Sequence, residues 1–128
     1  MIGYVTLGTN ELPRAAEYYD ALLGAFGIGR IMEEDNHFVV WASSPDAPAL
    51  SVTTPFNKEP ATIGNGVMVA LHMDTPEKVG DFYNKALELG GTDEGKPGFR
   101  PEGNDRGYYC AYFRDLDGNK LSCFCMVE

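Results

Sequence analysis

The sequence predicts an α+β fold built twice, as two βαβββ modules spanning residues 1–57 and 65–128 with a linker at 58–64. Three observations carry this reading. Tyr18-Tyr19 in one helical pattern matches Phe82-Tyr83 in another, an offset of 82 − 18 = 64, and the same offset takes Tyr4 to Met68. That offset is half of the 128 residues, so a strand–helix unit has been duplicated. The third observation is that each helical pattern is followed by β-rich runs separated by turn residues.

The first strand is Gly3 to Leu7, ending in the cluster Gly8-Thr9-Asn10. Behind it, Ala15, Tyr19, Leu22, Leu23 and Phe26 follow i, i+4, i+7, i+8, i+11, the spacing of one helix face. Asn10 is the expected cap, and Pro13 is tolerated because the first helical turn needs no donor. Strands then follow at Gly29 to Glu33, Phe38 to Ala42 and Leu50 to Thr54. In the second module Gly66 to Leu71 is the opening strand, and Thr75-Pro76 caps a helix with Val79, Phe82, Tyr83 and Ala86 on one face. Gly90-Gly91 stops that helix. Thr92 to Gly107 holds four glycines and two prolines, which predicts a poor strand and a long loop. Tyr108 to Arg114 and Lys120 to Met126 flank Asp117-Gly118, a hairpin turn signal.

Composition narrows the function classes. Hydrophobic residues are 44% and charged residues 23%, enough to bury a core. The net charge of −9 argues against nucleic-acid or anionic-lipid partners. Three cysteines without metal-type spacing suggest neither a disulfide framework nor a zinc site. No apolar run approaches the roughly 20 residues that span a bilayer. The opening residues carry no basic stretch of a signal peptide, so the expectation is a cytoplasmic protein without membrane or nucleic-acid partners.

Tyr4-Val5-Thr6-Leu7, Glu11-Leu12 with Arg14, Tyr18-Tyr19 with Leu23-Gly24, and Phe113 to Leu121 together resemble the vicinal oxygen chelate superfamily, which includes glyoxalase I, bleomycin-resistance proteins and extradiol dioxygenases. The segment Phe113-Arg114-Asp115-Leu116-Asp117-Gly118-Asn119 is similar to the terminal hairpin of that family, with Leu116 in place of a proline. The resemblance covers essentially the whole chain. It implies strands curled into an incomplete barrel around a cavity, pairing as homodimers, and one divalent metal held by His or Glu at four strand positions. Carried over, those positions are Tyr4, Ser51, Met68 and Ser122, with the Ser51 register the loosest. A phenol of pKa about 10, a thioether and two hydroxyls are not ligands for such a metal at neutral pH. The expectation is a metal-free cavity with no cofactor.

Strand alternation then assigns the cavity lining. Tyr4, Thr6 and Gly8 share a face, as do Met68, Ala70 and His72; Tyr108, Cys110 and Tyr112 lie with Lys120, Ser122 and Phe124. His72 is either a cavity acid or base, the one catalytic candidate, or a solvated strand end. His37 stands in a turn with Asp35 and Asn36. Tyr4, Tyr108 and Tyr112 either form a pocket for a planar or carbonyl-bearing molecule or fill the space a metal would occupy. Arg100 and Arg106 in the glycine-rich loop either attract an anionic ligand or stay on the surface. Trp41 is equally a pocket wall or a dimer contact. Cys123 and Cys125 face outward and pack under a helix.

Three functions fit these readings. The favoured one is a metal-independent binder of a small molecule, with Tyr4, Thr6, Ser51, Met68, His72, Arg100, Tyr108, Tyr112 and Ser122 in its cavity. The second is a lyase, isomerase or dioxygenase-type enzyme, either metal-free with His72 or with a metal site elsewhere. The third is a degenerate member with a structural or regulatory role.

Overall fold

The computed structural model describes all 128 residues. They form two compact units, Met1–Gly64 and Asn65–Glu128, and each has the βαβββ order. In the first, β1 (Tyr4–Gly8), α1 (Leu12–Gly24), β2 (Gly29–Glu34), β3 (Phe38–Ala42) and β4 (Ala49–Thr53) follow in turn. In the second, β5 (Val69–His72), α2 (Pro76–Glu88), β6 (Thr92–Phe99), β7 (Gly107–Arg114) and β8 (Lys120–Val127) repeat the pattern. The helices begin at residues 12 and 76 and each has 13 residues, so the 64-residue offset holds to the residue.

The sheets have the same topology. The first is ordered β1-β4-β3-β2 and the second β5-β8-β7-β6, with β1 parallel to β4 and β5 parallel to β8. The other pairings are antiparallel. Neither sheet closes into a barrel. Parallel pairing of the first and last strand of each unit is what the intervening helix permits, because a parallel connection needs a crossover. No helix is long and apolar enough to cross a membrane.

Each sheet has one helix on one face, and that face is the core. In the first unit Val39, Trp41, Leu50 and Val52 lie buried with Ala15, Tyr19, Leu22 and Leu23 of α1. Trp41 is neither a pocket wall nor a surface contact. Its ring lies 5.5 Å from that of Tyr19, and its indole Nε1 donates to Asp20 Oδ1 at 2.9 Å. The same carboxylate receives two bonds from Arg30, at 2.9 and 2.7 Å, and these bonds hold Asp20 below the usual carboxylate range. A buried indole needs an acceptor, and α1 supplies one at its exposed edge. In the second unit α2 packs on β7, β8 and β6, with Val79, Phe82 and Ala86 against Ala111, Phe113 and Leu121. Phe82 and Phe113 lie 6.0 Å apart. Cys123 and Cys125 stand on this face as expected, and the Cys123 thiol donates to the carbonyl of Val79 at 3.5 Å.

Several strand ends shift by one residue from the sequence reading, and three departures have a local reason. Asn10 does not cap α1. The helix starts two residues later, and the Asn10 side chain instead holds the backbone of Ala61 through bonds of 2.7 and 3.1 Å. Residues 58–64 thus belong with the first unit. Phe26 lies past the end of α1, where Gly27 turns left-handed at φ 79° and the Ile28 amide closes back on the Leu23 carbonyl. Gly66 likewise adopts φ 96°, so β5 begins at Val69 and runs one residue further, to His72. By contrast Thr75 caps α2, its hydroxyl accepting from the Lys78 amide at 3.1 Å, and Gly90 ends the helix at φ 113°. The glycine-rich strand β6 forms with two register shifts and is followed by a seven-residue loop, 100–106.

The last hairpin turns on Asp115, which is buried. Its Oδ1 accepts from the amides of Asp117 and Asn119 at 2.9 Å, and its Oδ2 from the Asn119 side chain at 3.1 Å. Replacing it with alanine strands those donors. Asp115→Ala is expected to lower stability by about 2–3 kcal/mol, read as a lower urea midpoint with unchanged slope.

Candidate functional site

The face of each sheet turned from its helix carries the residues singled out above. In the first unit Tyr4, Thr6 and Ser51 line one open cavity of about 570 Å³, together with Met32, Phe38 and Val40. Tyr4 is 68% exposed, whereas Ser51 is 3% exposed beneath it. Thr6 pairs with Ser51 across the ladder, so Tyr4 stands one rung diagonal to that serine. The second unit repeats the relation: Ala70 pairs with Ser122, and Met68 lies two residues before Ala70. Tyr4 with Ser51 and Met68 with Ser122 therefore occupy equivalent positions, which fixes the Ser51 register. Phe38, Val40 and Met32 were not foreseen as lining residues. Their alternation with buried Val39 and Trp41 was the available signal.

The second unit holds two clusters on this face. At the end of β5 the His72 ring meets Phe124 edge-on at 5.5 Å, and Phe124 stacks on Tyr108 at 5.3 Å. His72 pairs with Phe124 in the ladder and is exposed, with no carboxylate to orient it. Further along, Tyr112 lies with the Arg100 guanidinium 5.8 Å and the Lys120 ammonium 5.4 Å from its ring centre. A hydrogen bond with Cys110, added to burial, pushes the Tyr112 hydroxyl up to about 12. The Ser122 hydroxyl, opposite Tyr112, is fully buried and has no hydrogen-bond partner. Arg106 stands apart, exposed and paired with its neighbour Asp105. His37 lies within 3.5 Å of Glu34 in the β2–β3 turn.

Residues 1–122 match the family described as the Glyoxalase/Bleomycin resistance protein/Dioxygenase superfamily. The chain belongs to this superfamily. A glyoxalase/bleomycin resistance protein from Albidiferax ferrireducens T118 is 38% identical, with 97% of each chain covered and a TM-score of 0.83. Two further solved structures share the fold at lower identity. A glyoxalase/bleomycin resistance protein/dioxygenase family enzyme from Burkholderia phytofirmans PsJN is 16% identical, with 98% of each chain covered and a TM-score of 0.74. Lactoylglutathione lyase from Agrobacterium tumefaciens is 18% identical, with 97% of this chain and 92% of that chain covered and a TM-score of 0.69. No curated protein matches the sequence.

The divalent metal implied by this superfamily does not fit the residues present. The two equivalent pairs offer a phenol, two hydroxyls and a thioether, and a first-row divalent ion needs imidazole or carboxylate donors. Nowhere do three or more His, Cys, Asp or Glu side chains stand together to replace them. The cysteines offer no alternative chemistry. All three are buried and unpaired, and burial pushes Cys123 up to about 12 and raises Cys125. A thiol in that state is a poor nucleophile.

Two measurements check these assignments. Iodoacetamide at neutral pH should leave Cys110, Cys123 and Cys125 unmodified in the folded chain and label all three in denaturant. Alkaline pH should destabilise the fold. Cys123 and Tyr112 are raised from ordinary values of 9.0 and 10.0, so the folded state favours their neutral forms. That stabilisation is whole below the ordinary values and is lost as pH climbs toward 12. The urea midpoint should hold near neutral pH and fall steeply above about pH 10, less steeply in Tyr112→Phe.

Proposed function

We propose that this superfamily member is a cytoplasmic, homodimeric protein that binds an organic small molecule without a divalent metal. The observation that carries the reading is the donor set at the equivalent pairs Tyr4/Ser51 and Met68/Ser122, none of which suits such an ion. Aromatic and hydroxyl groups stand on the same faces instead. Tyr4 and Ser51 border the cavity in the first unit, and Tyr108, Phe124 and Tyr112 form an aromatic row in the second. Such a lining suits a planar or carbonyl-bearing molecule. Three free, buried thiols accord with a reducing compartment. Pairing of two chains is supported by β1 and β5, each an edge strand of its own sheet with residues left exposed.

A second reading keeps catalysis open through His72. Its ring is exposed beside Phe124, on the face that carries Tyr108, which places one acid–base group within an aromatic setting.

Metal analysis of purified protein, followed by a thermal-shift screen of planar carbonyl compounds with and without EDTA, tests the proposal. The expected result is far less than one zinc, nickel, iron or manganese per chain, with a stabilising compound whose effect EDTA does not change. Stoichiometric metal would overturn the reading. His72→Ala should weaken the selected compound about tenfold or more if the ring donates to it. Turnover of that compound, abolished in the same variant, would favour the enzyme.

A further inference from the structure

Arg100 is seated with unusual care for a loop residue. Its Nη2 donates to the Lys96 carbonyl at 2.8 Å and its Nη1 to the Phe99 carbonyl at 3.1 Å. The guanidinium lies across β6 where that strand carries Gly95 and Gly98. A methyl group at Gly98 would come within 3.1 Å of Arg100 Nη1. One at Gly95 would come within 2.8 Å of Tyr112 Cδ2 and 3.4 Å of Arg100 Nη2. The two glycines thus leave the strand surface open where the cation lies beside the Tyr112 ring, which Lys120 approaches as well.

Six of the ten basic side chains, Arg14, Arg30, Lys78, Lys85, Arg106 and Arg114, form ion pairs; Arg100 and Lys120, like Lys58 and Lys96, form none, and these two stand against one aromatic ring. Glu94, which feels the charge of Lys120, is bonded by Arg114. Three guanidinium protons of Arg100 and the three of Lys120 remain for a ligand. A cleft of about 490 Å³ opens beside Arg100, with Glu102 and Asp93 on its walls. Asp93 is engaged by the Tyr83 hydroxyl and the Gly95 amide, each at 2.8 Å. The unpartnered Ser122 hydroxyl lies on the same sheet face, directly across the ladder from Tyr112.

We propose that Arg100 and Lys120 form a carboxylate-binding subsite beside Tyr112, so that the organic ligand is an anion. Gly95 and Gly98 act as positioning residues for the guanidinium. The inference rests on the small-molecule reading above and adds the chemical class of the ligand.

The test compares benzoate, salicylate and phenylpyruvate with their uncharged amides, by titration followed in amide and arginine side-chain NMR spectra. The carboxylates should bind at least about tenfold more tightly than the amides, shift the Arg100 Nε resonance, and weaken with added salt. Arg100→Gln and Lys120→Gln should each weaken the carboxylates about tenfold or more and leave the amides unchanged. Gly98→Ala should weaken carboxylates alone with the charges intact, an effect a surface arginine would not show. Equal binding of acids and amides, or undiminished acid binding in the double glutamine variant, overturns the subsite while the small-molecule reading stands. Failure of both classes to bind overturns both.

Discussion

One constraint organises the molecule: each four-stranded sheet is covered by a single helix. Strand side chains alternate between faces, so half of them are committed to a dry interior under α1 or α2. Val52, Trp41 and Leu50 in one unit, and Leu121, Cys123 and Phe113 in the other, meet that demand. The opposite faces have no helix of their own. They are therefore free to hold groups that a core would exclude, such as Ser51, Arg100 and Lys120.

The covered faces are dry and apolar, and the uncovered ones carry more of the polar groups. Under α1, Asp20 at the helix edge serves both Trp41 and Arg30. Under α2 the thiols pack as small hydrophobes, with Cys123 bonded to a carbonyl. On the other side of the second sheet polar groups stand crowded but incompletely matched. Tyr112 has two cations beside its ring, and Ser122 has no partner at all. A buried hydroxyl without a partner costs stability, and such costs are met where function asks for them.

The duplication makes the two faces comparable. Equivalent rungs carry Tyr4 with Ser51 and Met68 with Ser122, so neither half offers an imidazole or a carboxylate there. The units diverge elsewhere. The second has the longer connection between its second and third strands, residues 100–106 against 35–37, and that connection bears Arg100. Glycines at 95 and 98 break the register of β6 but admit the guanidinium, which ties an irregular strand to a positioned charge.

Much of this was legible in the sequence. The 64-residue offset, the helix faces and the alternation along β7 and β8 follow from periodicities of 3.6 and 2, which are local and need no tertiary information. The proline and glycine stops of α2 are equally local. What the sequence could not decide were contacts between residues far apart along the chain. Asn10 has the chemistry of a cap, but the backbone of Ala61 competes for it and wins. Trp41 reads by type as a pocket wall or a dimer contact, and only its burial against Tyr19 of α1 shows that it is neither. Alternation puts Lys120 on the face of Tyr112, but only the folded chain shows that Arg100 meets the same ring. Local patterning determined the fold, because burial follows period; the tertiary structure alone decided the partners, because hydrogen bonds and charges act on distance in space.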